Sequence, residues 1–217
     1  MTSSNVTAVA VSGAILSLCV AAAAVHAQTQ VPGQQVPKAE LPSGPAPQKL
    51  QLVERTVWQG ADLDGDGQPD IADPTGQAPR GDDAYGDGRF HASRDGGARR
   101  HEGVDYVATP GQAVEAPISG YVAKIGFAYR NENTLRYVEI ENPALHMSAR
   151  VFYVNPDVAV GDTVAVGHPI GHAQSLARRY RGITNHIHLE LMNGKGRKLD
   201  AETFITAQIE TGTLSAD

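Results

Sequence analysis

Two short strings hold the residue types that chemistry needs. His101-Glu102-Gly103-Val104-Asp105 offers an imidazole and a carboxylate four positions apart. Asn185-His186-Ile187-His188-Leu189-Glu190 offers two imidazoles two positions apart. Catalytic zinc takes three protein ligands from His, Asp or Glu and keeps a fourth position for water. The two strings therefore make a ligand set with one imidazole over. An imidazole beside that water is what metal-assisted hydrolysis requires.

The spacings dictate which elements must carry these groups. Residues i and i+2 of a β-strand share a face, roughly 6.5 Å apart. One of His186 and His188 can then hold the metal while the other reaches the water. The letters Ile-His-Leu-Glu-Leu alternate, which is a strand signature with the chemistry on the polar face. Glu190 lies on that face, placed to orient an imidazole. His101 and Asp105 would stand roughly 13 Å apart in an extended chain, too far for one ion. The chain must bend between them, and Gly103 tolerates the dihedrals of a bend. Asp105 then enters a strand through Tyr106-Val107-Ala108, which leaves His101 on a loop.

Between the strings, residues 109–122 and 160–171 echo each other: Gly111 with Gly161, Val114 with Val164, Gly120 with Gly171. The echo suggests duplicated β-hairpins. Residues 135–140 and 149–154 add two more strand candidates. Short, glycine-punctuated strands with almost no helical periodicity predict an all-β fold with a mainly antiparallel sheet core. A short C-terminal helix is expected after Asp200 as N-cap, over residues 201–205.

Taken in order, four motifs resemble the lysostaphin/LytM-type zinc metallopeptidases. They are His-x-x-x-Asp at 101–105, Ala-Pro-x-x-Gly-x-Val at 116–122, Val-Gly-Asp-x-Val-x-x-Gly-x-x-Ile-Gly at 160–171 and His-x-His at 186–188. The resemblance covers residues 85–205, and it implies a compact antiparallel β core with zinc in a groove. It also implies cleavage of peptide cross-links in bacterial peptidoglycan. Carried over, the zinc ligands are His101, Asp105 and His188, and His186 is the general base or transition-state stabiliser. One departure stands out. Active members usually carry a second catalytic His in a Tyr-x-His segment of a middle strand, where this chain reads Val151-Phe152-Tyr153-Val154-Asn155-Pro156. Matching Tyr to Tyr puts Asn155 at the His position, and a shifted register puts Tyr153 there. Strand alternation gives both one face, so either could donate a hydrogen bond into the groove. Phe-Tyr-x-x-Pro, with Tyr180-Arg181-Gly182-Ile183 ahead of His-x-His, is closer to the branch that includes leukocyte cell-derived chemotaxin 2. That branch resembles the peptidases, keeps the zinc ligands and has no established peptidase role. Among the other histidines, His146 or His172 could stand in for the imidazole, although both are expected in solvated loops, and His91 could line the groove, although an exposed loop accounts for it at least as well.

The rest of the chain sets the context. Residues 1–37 contain no Asp, Glu, Lys or Arg, and an apolar stretch over 6–25 precedes Val25-His26-Ala27. This reads as a signal peptide over 1–27, with an uncleaved anchor as the alternative, and it places the protein in the periplasm or outside the cell. The single cysteine, Cys19, falls inside that stretch, so disulfides play no part in the mature chain. Residues 28–50 form a Pro/Gln-rich linker, residues 51–80 an acidic leader and residues 81–210 the zinc-metallopeptidase-like domain. A net charge of −6 gives no support for a nucleic-acid partner, so none is expected, and it rules out simple attraction to an anionic wall polymer as the main binding force. In the leader, Asp62, Asp64, Asp66, Asp70 and Asp73 are spaced as in a calcium loop, with Gly67 at the sharp turn; an acidic solvated loop would carry the same letters. The expected protein is thus a monomeric zinc endopeptidase acting on peptidoglycan peptides. The alternative is a zinc-containing wall-binding module, or an activator of a partner wall hydrolase, that has lost catalysis.

Overall fold

The computed structural model describes residues 51–214. The signal peptide and linker expected over 1–50, Cys19 included, lie outside the described residues. Among the described residues no helix is long and apolar enough to cross a membrane.

The fold is all-β. In chain order the strands are β1 (Gln51–Gly60), β2 (Ser93–Arg94), β3 (Arg99–Arg100), β4 (Val104–Val107), β5 (Ala113–Glu115), β6 (Gly120–Tyr129) and β7 (Glu132–Asn142). They continue with β8 (Met147–Phe152), β9 (Val154–Pro156), β10 (Thr163–Val164), β11 (Pro169–Ala173), β12 (His186–Asn193), β13 (Lys198–Leu199) and β14 (Ile205–Leu214). The helix expected near the C-terminus is one 3-10 turn, Ala201–Thr203. Asp200 caps it as expected, its carboxylate accepting from the Glu202 N–H at 3.1 Å. The β-branched Ile205 and Thr206 then open β14 rather than extend the turn.

The main sheet runs β10-β6-β7-β8-β12, with β13 and β4 both on the far edge of β12. A smaller sheet runs β5-β11-β9. One apolar core joins them: Val114, Val154 and Ile170 of the small sheet cluster with Val122, Val138, Ile140, Val151 and Leu189 of the large one. On β12, Ile187, Leu189 and Leu191 enter this core, which leaves His186, His188 and Glu190 on the opposite face. Packing of the apolar residues therefore fixes where the imidazoles point.

The sequence echo has a structural meaning different from the one expected. Residues 109–122 and 160–171 do not each close into a hairpin. They pair with each other: β5 with β11, and β6 with β10. The backbone bonds match in kind. The Gly111 N–H donates to Ala173 O while the Ala173 N–H donates to Gln112 O, and the Gly161 N–H donates to Val122 O while the Val122 N–H donates to Asp162 O. Gly120 and Gly171 occupy equivalent places, at φ 152° and 155°, and a Cβ on either would lie 2.1 Å from a partner-strand carbonyl oxygen.

The segment expected as a leader is part of the body. β1 pairs with β14 along its whole length. Ile71 is fully buried in the core and bridges to Ile118. Arg80 is 3% exposed beneath the site.

Candidate metal centre and cleft

β12 lies between β4 and β8, and register brings the chemistry together. His188 stands opposite Asp105 on β4 and opposite Phe152 on β8. Directly paired residues of an antiparallel ladder have Cβ atoms about 5 Å apart, so a His and an Asp far apart in sequence meet without any loop. His101 is delivered by the turn before β4. Its N–H donates to Ala92 O, and its carbonyl accepts from the His91 N–H, both at 2.9 Å. Gly103 makes this approach possible through space rather than dihedral freedom. It has no left-handed φ, and a Cβ there would meet Leu189 O at 2.2 Å and the His188 ring at 2.8 Å.

Three donor atoms form a triangle. His101 Nε2 is 2.9 Å from His188 Nδ1 and 3.2 Å from Asp105 Oδ1, and His188 Nδ1 is 2.9 Å from the same Oδ1. Two imidazole nitrogens and a carboxylate oxygen suit zinc, whose tetrahedral edges are about 3.3 Å for bonds near 2.0 Å. The outer atoms of the same rings are engaged. His101 Nδ1 donates to Arg89 O at 2.8 Å, which presents the Nε2 lone pair inward. His188 Nε2 lies 3.7 Å from Glu190 Oε1, and Glu190 is in turn held by Lys198 and Arg150. Asp105 divides its oxygens: Oδ1 faces the imidazoles, while Oδ2 accepts from Arg80 Nη2 at 2.9 Å and Nε at 3.3 Å. Burial opposes the Asp105 charge, yet bonds from His101 and His188 hold its carboxyl well below the usual range. Burial likewise opposes protonation of His188, but Asp105 and Glu190 lift it to about 9. Two carboxylates flanking one imidazole favour a cation in that place.

His186 sits beside the triangle, its Nε2 3.6 Å from Asp105 Oδ2. Its Nδ1 donates to Thr184 O at 2.7 Å, which leaves Nε2 as the lone-pair nitrogen. Burial lowers its pKa and outweighs the pull of Asp105, which favours the neutral ring with Nε2 free to accept a proton. Tyr153 packs edge-on against His186, with ring centroids 5.6 Å apart. Its hydroxyl is 2.7 Å from that of Tyr129, which is 2.9 Å from that of Tyr180. Burial, then the neighbouring Tyr129, pushes the Tyr153 phenol up, so it remains a neutral donor. These side chains line one cleft of about 430 Å³ with the donor triangle at its floor.

Asn155 is not in this cleft, contrary to the face-sharing expectation. Tyr153 adopts φ 69°, a left-handed value that interrupts strand alternation between β8 and β9. The chain there leaves the large sheet for the small one. Asn155 consequently points elsewhere, its Oδ1 accepting from Gln174 Nε2 at 2.9 Å. His146 lies in the β7–β8 turn, and His172 pairs with Asp157 at 2.8 Å on the surface. His91 is exposed and stacks on Phe90.

The acidic loop gathers only Asp62, Asp64 and Asp70. Asp66 turns aside to accept from the Gln68 N–H at 2.7 Å, and Asp73 is 5% exposed in a separate turn, accepting from the Thr75 N–H at 2.8 Å. The clustered carboxylates are bonded to their own backbone: Asp62 accepts from Gly65 and Gly67, and Asp70 from Leu63 and Asp64. These bonds shape the loop, and calcium there has no support.

Sequence reasoning passed over Arg80, Arg94 and Tyr129 as site residues, and took Tyr180 only as a marker of the branch. Arg99 and Arg100, directly before His101, were the visible hint of a basic wall. Nothing local marks Arg80, which reaches Asp105 across 25 positions.

Residues 99–201 match peptidase family M23. The chain is 31% identical over 113 residues to leukocyte cell-derived chemotaxin-2 of Mus musculus, covering 50% of this chain and 69% of that protein. It is 30% identical over 113 residues to myeloid protein 1 of Gallus gallus, covering 51% and 34%. Among solved structures, lysostaphin in solution superposes with TM-score 0.43 at 20% identity over 57% of this chain and 51% of that one. A zinc containing peptidase from Vibrio cholerae gives 0.45 at 23% over 59% and 37%. This chain thus spans about half of the lysostaphin chain and about a third of the Vibrio chain. On the family match and the chemotaxin relationship, the chain belongs to peptidase family M23.

Proposed function

We propose that the protein is a zinc endopeptidase that hydrolyses peptide bonds in bacterial peptidoglycan, acting outside the cytoplasm. The observation that carries this reading is the donor triangle of His101, Asp105 and His188 with the lone-pair nitrogen of His186 facing the same cleft. His101 Nε2, Asp105 Oδ1 and His188 Nδ1 would hold the zinc, which when bound would supply a Lewis acid for a carbonyl and for water. His186 Nε2 takes the proton of the attacking water and returns it to the departing amine. The Tyr153 hydroxyl donates to the oxygen that gains charge as the carbonyl is attacked. Arg80 holds Asp105 in place from behind. Secretion is supported by the apolar N-terminal stretch, and the wall substrate by the family.

The test combines metal analysis with murein digestion. Purified protein is expected to hold one zinc and to release soluble muropeptides. His186→Ala should keep the metal and lose at least about 100-fold in rate, the usual contribution of a general base. Equal activity in the variant would remove the role of His186. Stoichiometric zinc without product on any murein, together with cosedimentation with walls, would replace the enzyme by a binding module or hydrolase activator.

A further inference from the structure

The hairpin ahead of His101 carries three arginines, of which only Arg99 has a carboxylate within hydrogen-bond distance among the described residues. β2 and β3 place Arg94, Arg99 and Arg100 along one wall, in a chain of net charge −6. The turn between them is tight, with Asp95, Gly96 and Gly97 all at positive φ. Arg99 is held by Asp95 at 2.6 Å. Arg80 is shared among Asp105, Asp83 and the Gly86 carbonyl. Glu190 already has Lys198 and Arg150.

Arg94 is left over. Among the described residues its one hydrogen bond runs from Nη1 to its neighbour Ser93 O at 3.1 Å. Its closest carboxylate oxygen, Asp105 Oδ2, is 3.8 Å away, beyond hydrogen-bond reach and already bonded to Arg80. The side chain is only 15% exposed. A guanidinium has five donors in a planar fork suited to a carboxylate, and withdrawing it from water with most of those donors unbonded is costly. Arg100 stands at the rim with only a 3.5 Å contact to His91 O.

We propose that Arg94, supported by Arg100, binds a carboxylate of the substrate, so that the cleft selects peptides carrying a free carboxylate beside the scissile bond over amidated ones. The inference rests on the peptidase reading for what is cleaved. The distance from Arg94 to Asp105 puts the bound carboxylate within one or two residues of the reacting carbonyl.

Binding and turnover are measured separately. Zinc-loaded His186→Ala protein is titrated calorimetrically with muropeptides, native or with their carboxyls chemically amidated. Native muropeptides are expected to bind at least tenfold tighter. Adding Arg94→Gln should bring the ratio below twofold with zinc content and circular dichroism unchanged. Arg100→Gln, at an exposed position, should lower it partway. Equal affinity for both probes, including no binding of either, overturns the proposal. So does a ratio that survives in the double variant, or an Arg94→Gln that loses zinc while keeping the ratio. Wild-type turnover is scored on the native probe alone. No turnover with the ratio intact would end the peptidase reading and leave carboxylate recognition standing.

Discussion

Tyr153 determines which donors face His186. An imidazole there would titrate near neutrality, whereas a buried phenol stays protonated and can only give a hydrogen bond. Its hydroxyl already has Tyr129 as a partner, and Tyr129 also has Tyr180, so removing one oxygen leaves no buried hydroxyl stranded. Tyr153→Phe should therefore melt near the wild type and keep its zinc. Its kcat should fall about 100-fold with little change in KM, the effect of losing one donor to a developing oxyanion. Asn155→Ala should leave kcat unchanged, because that side chain is bonded to Gln174 outside the cleft of the donor triangle. Comparing the two variants in one muropeptide-release assay checks the assignment; a large loss in Asn155→Ala, or none in Tyr153→Phe, would reverse it. The sequence carried both candidates because alternation of two was extended through residue 153. A single positive φ broke that alternation, and no letter in Phe-Tyr-Val announces it.

The element that organises the site is β12, and what it needs from its neighbours is close approach. The strand itself was plain in the alternation of 186–190. So were β7, β8 and the turn into β4, because each is a local pattern. The partners of β12 were not legible, since the register that sets His188 opposite Asp105 joins residues 83 positions apart. Gly103 shows the same limit. Its type was noticed for flexibility, whereas the sheet requires it for the absence of a Cβ against Leu189 O and the His188 ring. Gly103→Ala tests this. Relief of a 2.2 Å contact with backbone must move β4 from β12 or rotate the ligand imidazole. The expected cost is about 1–3 kcal/mol, as for other overpacked sites, with zinc affinity reduced at least about tenfold. Thermal melts in chelator and a competitive zinc titration measure the two effects. An alanine variant matching the wild type in both would show that the strands have slack.

At the scale of the molecule, residues 70–80 act as a strap that joins the two sheets. The Ala72 N–H donates to Pro117 O, the Glu115 N–H to Pro74 O, and Pro79 bridges to Tyr106 on β4. Asp73, within this strap, is buried. Its Oδ1 accepts from the Thr75 N–H, the Thr75 hydroxyl and the Gly76 N–H. Its Oδ2 has no partner among the described residues, and neither has the Tyr106 hydroxyl. Burial outweighs the three donors and pushes the Asp73 carboxyl up to about 6. The folded state thus holds the Asp73 proton more tightly than the unfolded chain, where the value is about 3.9. The resulting stability is complete below about pH 4 and is lost as pH rises through about 6. That gap corresponds to an upper bound of about 3 kcal/mol. Asp73→Asn keeps an acceptor for the Thr75 and Gly76 donors and cannot ionise. Its unfolding free energy should match the wild type near pH 4 and exceed it by up to about 3 kcal/mol at pH 7.5. Urea unfolding of both proteins across that range isolates the effect, because protonation of the zinc ligands is common to the two and cancels in the difference. A difference that stays flat with pH would mean that the three donors keep Asp73 charged, and that the strap is held by a buried carboxylate rather than a carboxylic acid.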